Sequence, residues 1–173
     1  MREGNLSWAP SFLTTLIKPL EAGAAGDSVA ARRASPGCPF CRIAAREEPA
    51  AMIYEDGELM AFMDRNPVSA GHALVAPVEH YETILDMDPE LVGRLFSLAA
   101  RVARAALVAL GADGVNLLQN NGPAAWQHVP HVHVHVIPRW LGDGIYIHWP
   151  AKRKALAELE GLAARIREAL GAQ

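Results

Sequence analysis

The sequence predicts an α+β domain built on an antiparallel sheet with a long helix and a C-terminal helix, and three observations carry that prediction. From His131 to Ile137 histidine alternates with valine, the period-two pattern of a strand that sends imidazoles to one face and valines to the other. Two short apolar runs, Met52 to Glu55 and Glu58 to Met63, flank Asp56-Gly57, a strong hairpin signal. Between Asp88 and Gly111, Leu91, Leu95, Leu98, Val102, Ala106 and Leu110 recur at helical spacing, so this segment is one long helix with an apolar stripe for a core or an interface.

Length and composition narrow the class. A chain of 173 residues that is 51% hydrophobic buries one core, so one domain is expected. The net charge is −3 and the longest basic run is Lys152-Arg153-Lys154, which is no footprint for a nucleic-acid backbone. No apolar run approaches the roughly 20 residues of a membrane span. The stretch Phe12 to Leu20 is interrupted by Lys18 and Pro19, unlike a secretion signal. The expectation is a cytoplasmic protein whose partner is a small molecule, with neither nucleic acid nor membrane.

Taken in order, residues 1–36 are rich in Ala, Gly, Ser and Pro and read as a flexible extension, with residues 37–173 as the folded domain including its C-terminal helix. Cys38-Pro39-Phe40-Cys41 precedes a short helical stretch, Arg42 to Glu47. The Cys-x-x-Cys spacing is half of a tetrahedral zinc site; alone it leaves open zinc, a redox pair or two structural cysteines. Ser69-Ala70-Gly71-His72 leads into a nearly continuous apolar strand, Ala73 to Val78, with His80 just beyond. Asp88 is placed to cap the long helix, Pro89 suits its first position, Glu90 complements its positive end, and Gly111 ends it. Gly114 to Gln119 is the next strand, and Asn120-Asn121-Gly122-Pro123 turns the chain toward the histidine run. After Pro138 comes the turn-rich Arg139 to Gly144. Lys152 to Leu170 is an amphipathic helix, with Leu156, Leu159, Leu162, Ile166 and Leu170 on one side, suited to pack on the domain or on a second copy.

Within the histidine run, neighbouring imidazoles sit roughly 7 Å apart and the outer two roughly 13 Å apart, so the three cannot share one metal ion. His131-Val132-His133-Val134-His135-Val136-Ile137 resembles the signature of the histidine triad (HIT) family, His-φ-His-φ-His-φ-φ with φ apolar, at every position. The resemblance continues in Asn120-Asn121-Gly122-Pro123, in Gln127-His128-Val129-Pro130 and in Pro138-Arg139, as in the family's bacterial branch, and extends over about Pro36 to Pro150.

That resemblance implies a five-stranded antiparallel sheet, a homodimer, and a nucleotide hydrolase or transferase acting on purine, adenosine-containing substrates: nucleoside phosphoramidates or dinucleoside polyphosphates. It makes the middle histidine, His133, the nucleophile that forms a nucleotidyl-histidine intermediate, and gives His135 the phosphate oxygens. It assigns Asp64 to the ribose hydroxyls, Asn120 and Gln127 to the phosphates, and His72 to a supporting hydrogen bond behind the triad. Ile43 and Phe62 are placed to line the base pocket. In zinc-bearing members the metal is structural and held by residues at the positions of Cys38, Cys41, His80 and His131, and no catalytic metal is required. Two residues depart from the family pattern. Trp126 stands where a glycine is usual, and His128 replaces a small hydroxyl residue that helps the leaving group depart, a task an imidazole can also perform. The competing reading is a nucleotide-binding scaffold or regulator with little turnover.

Overall fold

The computed structural model describes residues 34–147 and 150–172, in two units, 34–143 and the part from Gly144 onward. Most of the extension read over residues 1–36, with the Trp8 to Leu20 segment, lies outside the described residues, as do His148 and Trp149.

The first unit is an open five-stranded sheet. Its strands are β1 (Met52–Glu55), β2 (Leu59–Met63), β3 (Ala73–Pro77), β4 (Gly114–Gln119) and β5 (Val134–Arg139). They lie in the order β1-β2-β3-β5-β4, and every neighbouring pair is antiparallel. At the β1–β2 turn, Asp56 Oδ1 accepts from the backbone N–H of Glu58 and of Leu59 at 3.0 and 2.8 Å, a side-chain turn that fixes the hairpin register.

Helix α2 (Pro89–Leu110) covers one face of the sheet. Its ends are set locally, as the sequence predicts. The Asp88 carboxylate accepts from the N–H groups of Glu90 and Leu91, Pro89 occupies the first turn, and Gly111 closes the helix in the left-handed region at φ 62°. Leu91, Leu95, Leu98, Ala99, Val102 and Ala103 are buried against Val75, Val132, Val134 and Val136. The opposite face carries a second apolar cluster, in which Cys38, Phe40, Cys41 and Ile43 from helix α1 (Pro39–Ala44) and its lead-in meet Met60, Phe62, Leu74 and Ala76. Helix α1 begins earlier than the Arg42 to Glu47 expected, because Pro39 pre-sets the first helical turn.

In the second unit, α3 (Leu156–Gly171) starts four residues later than the Lys152 to Leu170 pattern and is supported at its start by a Lys154–Glu158 ion pair at 2.6 Å. Among the described residues no helix is long and apolar enough to cross a membrane.

Candidate functional site

Regular strand pairing in β5 begins at Val134, so His131 and His133 lie on the extended segment just before it. The alternation nevertheless holds. Val132, Val134 and Val136 are fully buried on the helix side, while His131 and His133 meet the edge of the Phe40 ring at centroid distances of 5.6 and 5.1 Å on the other face. The backbone N–H of Val132 donates to the Tyr81 carbonyl at 2.7 Å, which holds the segment extended outside the ladder.

The first histidine belongs to a four-ligand cluster. His131 is 0% exposed, and its Nε2–H donates to the Pro77 carbonyl at 2.9 Å, so the lone pair of the neutral ring is at Nδ1. Burial pushes this imidazole down to about 4, which keeps it neutral. Its Nδ1 lies 3.3 Å from Cys38 Sγ, 3.7 Å from Cys41 Sγ and 3.2 Å from His80 Nδ1, and Cys41 Sγ is 3.4 Å from His80 Nδ1. All four donor atoms lie within 4.8 Å of one another. A tetrahedron with Zn–N of about 2.0–2.1 Å and Zn–S of about 2.3 Å has edges of roughly 3.3–3.8 Å, so two thiols and two ring nitrogens at these separations fit a closed Cys2His2 site. The carbonyl on His131 is the outer-shell acceptor that such a ligand uses to fix its ring.

The second histidine is oriented oppositely. His133, 6% exposed, donates its Nδ1–H to the His131 carbonyl at 2.7 Å, which leaves the Nε2 lone pair free. Burial lowers its pKa, against smaller upward pulls from that hydrogen bond and from Asp64.

The third histidine is set through His72. The backbone N–H of Val68 can only donate, and it lies 3.3 Å from His72 Nδ1; the His72 proton is therefore on Nε2, 2.9 Å from His135 Nδ1. His135 thus accepts at Nδ1 and carries its own proton on Nε2. Burial, then the neighbouring imidazoles of His133 and His72, push His135 down to about 4; burial likewise lowers His72. Asp64 Oδ2 stands 3.6 Å from His72 Nε2. Asp64, His72 and His135 also converge within 4.8 Å, but there the two facing nitrogens are a donor and an acceptor, not two lone pairs. Gly71, at φ 79°, delivers His72: a Cβ there would meet Leu110 Cδ1 at 2.2 Å and Pro138 Cγ at 3.3 Å.

His133 and His135 face a cavity of about 760 Å³, within the ~300–1,000 Å³ typical of small-molecule sites. Ile43 and Phe62 line it together with Phe40, Asp64, His72, Trp126 and His128. Asn120 and Gln127 do not line it. Gln127 Oε1 accepts from the Gly122 N–H at 2.7 Å and its Nε2 donates to the Glu82 carbonyl at 2.6 Å, while Asn120 Nδ2 donates to the Trp126 carbonyl at 3.4 Å. These two amides tie the loop rather than reach into the cavity. Phe40, passed over in the sequence between two cysteines, forms part of the cavity wall, contacting Phe62 edge-on at 5.3 Å as well as both histidines. Its apolar character at the only non-proline position inside Cys-x-x-Cys was the available signal.

An antiparallel sheet with a helix on one face and three alternating imidazoles on the other defines the class. A family model described as the HIT domain matches residues 45–140, and the chain belongs to the histidine triad family. An adenylylsulfatase of Arabidopsis thaliana is 35% identical over 144 residues, 83% of this chain and 73% of that protein. An adenosine 5′-monophosphoramidase of Schizosaccharomyces pombe is 35% identical over 130 residues, 75% of this chain and 95% of that protein. Among solved structures, a Streptococcus mutans protein superposes with a TM-score of 0.76 at 34% identity, covering 84% of this chain and 91% of that one. A zinc-bound histidine triad protein of Mycobacterium smegmatis superposes with a TM-score of 0.62 at 38% identity, covering 73% and 97%.

Proposed function

We propose that this protein is a nucleotide hydrolase or transferase that cleaves adenosine-containing phosphoramidates or dinucleoside polyphosphates at the α-phosphate through a nucleotidyl-histidine intermediate on His133. One observation carries the reading: a buried imidazole with its Nδ1–H committed to a backbone carbonyl and its Nε2 lone pair free beside a cavity. The adenylylsulfatase and adenosine 5′-monophosphoramidase among its relatives support the adenosine half.

In the proposed reaction His133 Nε2 forms a bond to the α-phosphorus as the bond to the leaving group breaks. The ring then carries positive charge, which the Nδ1–H bond to the His131 carbonyl stabilises. The leaving group takes a proton from His128, which lines the same cavity. Water attacks the phosphorus from the vacated side and gives one proton back to His128 as the P–Nε2 bond breaks, releasing the nucleoside monophosphate and neutral His133. His135, with its Nε2–H, donates to phosphate oxygens as charge builds on them. Asp64 holds the ribose hydroxyls, and Ile43, Phe62 and Phe40 flank the base. Cys38, Cys41, His80 and His131 would hold a zinc ion, whose positive charge would offset the burial that raises the Cys38 thiol and whose bonds would tie α1 to the sheet.

The test is a single-turnover reaction of wild-type and His133→Ala protein with adenosine 5′-phosphoramidate, followed by mass spectrometry. Wild type yields an adenylylated peptide containing His131 to Arg139 and releases AMP, and the variant loses both by a factor on the order of 10⁴ or more. Binding of the nucleotide to both proteins with neither adduct nor AMP removes the phosphoramidase reading, and the same result with a diadenosine polyphosphate replaces the enzyme by a nucleotide-binding scaffold.

A further inference from the structure

We propose that Trp126 is a specificity-determining residue that stacks on the flat ring of a leaving group, so that the substrates this chain handles best are phosphoramidates of amines that carry an aromatic ring. The inference rests on the hydrolase reading above and names the leaving-group side of the same site.

Trp126 is costly where it stands. Its backbone sits in the left-handed region at φ 63° and ψ 35°, the conformation glycine adopts freely and a bulky residue adopts at about 1 kcal/mol or more. Its side chain is 79% exposed, although tryptophan usually buries most of its area. Neither feature comes from a slack loop. The Trp126 N–H donates to the Pro123 carbonyl at 3.0 Å, the Gln127 N–H to the Gly122 carbonyl at 3.3 Å, and the Gln127 side chain bridges Gly122 and Glu82. The indole is thus held out from the core by a clamped turn, and it is held on the wall of the cavity that contains His133, two residues from His128. An exposed aromatic surface fixed at that position has a ring as its natural complement.

Charge selects the kind of ring-bearing group. Among the described residues that line the cavity, the one Lys or Arg side chain is Arg65, and it is paired with Glu48 at 2.8 Å. Glu48 itself also holds Arg42 at 2.6 Å, and Asp64 is the other acid on the wall. The wall therefore offers no unpaired cation for the extra phosphates of a polyphosphate chain, whereas an amine leaving group brings no negative charge.

The test uses three substrates with one adenylyl half: adenosine 5′-phosphoramidate, its N-benzyl derivative and its N-cyclohexylmethyl derivative, the last a saturated ring of similar size. The wild type is expected to favour benzyl over cyclohexylmethyl in kcat/KM by about two- to tenfold. Trp126→Gly, which suits the left-handed backbone, is expected to abolish that ratio, and Trp126→Phe to retain most of it. A ratio unchanged in Trp126→Gly overturns the stacking while leaving hydrolysis in place. If none of the three compounds yields AMP, the hydrolase reading falls, and calorimetric binding of both ring compounds to His133→Ala protein with and without Trp126→Gly decides the stacking. Equal benzyl preference in the two proteins overturns it.

Discussion

The two ends of the histidine run hold the same tautomer in different surroundings. At one end His131 keeps its proton on Nε2, against the Pro77 carbonyl, and turns a lone pair at Nδ1 toward Cys38, Cys41 and His80. At the other end His135 accepts at Nδ1 from His72 and turns an N–H toward the cavity. Between them His133 reverses His131, with its proton on Nδ1 and its lone pair on Nε2. One extended segment thus presents a lone pair toward a Cys-His cluster, a second lone pair on the opposite ring nitrogen, and a hydrogen-bond donor. The difference lies not in residue type or spacing but in which neighbouring atom meets each ring first.

Breaking the closed end should have the largest effect. His131→Ala leaves a buried hole and an unpaired Pro77 carbonyl, and is expected to destabilise the fold by about 3 kcal/mol or more, measured by urea denaturation. With zinc in the site, a strong chelator lowers the melting temperature of the wild type and leaves that of the variant unmoved. Equal melting temperatures of the wild type with and without chelator would remove the metal from this corner.

Breaking the open end should act on rate more than on folding. His72→Phe keeps the volume but frees His135 Nδ1, so His135 no longer holds its proton on one nitrogen. The expected loss is about 10- to 100-fold in kcat with a smaller change in KM, the size of one orphaned buried hydrogen-bond partner. His72→Gln, which can still donate at a similar position, should recover part of it; equal loss in both variants would mean that His72 merely fills space.

The least invasive perturbation is pH. His135 binds its proton near 4 in the fold and near 6.5 when unfolded, so the unfolded chain binds more protons between those values. Its contribution to stability is complete above about pH 6.5 and declines as the pH falls toward 4. Thermal melts of wild type and His135→Gln across that window should converge at low pH; parallel curves would place the His135 titration elsewhere.

Much of this was legible in the chain because it is encoded locally. Asp56-Gly57, the Asp88-Pro89 start and the Gly111 stop each act within a few residues of themselves, and His131 to Val136 alternates whatever surrounds it. The pairing of Cys38 and Cys41 with His80 and His131 spans up to 93 residues and was reached through a family resemblance, not through spacing. Asn120 and Gln127, which the resemblance assigns to the phosphates, show where it stops being a guide. A loop amide can turn toward a ligand or toward its own backbone, and in this loop Gly122 and Glu82 satisfy Gln127. The tautomers were out of reach for the same reason, since Pro77 and Val68 contribute main-chain atoms that no side-chain pattern reports.

That last fact bears on how this protein can change. Because a carbonyl at position 77, a carbonyl at 131 and an amide at 68 decide where three protons reside, substitutions of the Pro77 or Val68 side chain that leave the backbone path intact are silent in proton placement. Position 68 is the exception: proline there deletes the amide. A scan of all amino acids would therefore reveal this layer of the design as one intolerant letter at an otherwise permissive, half-exposed valine.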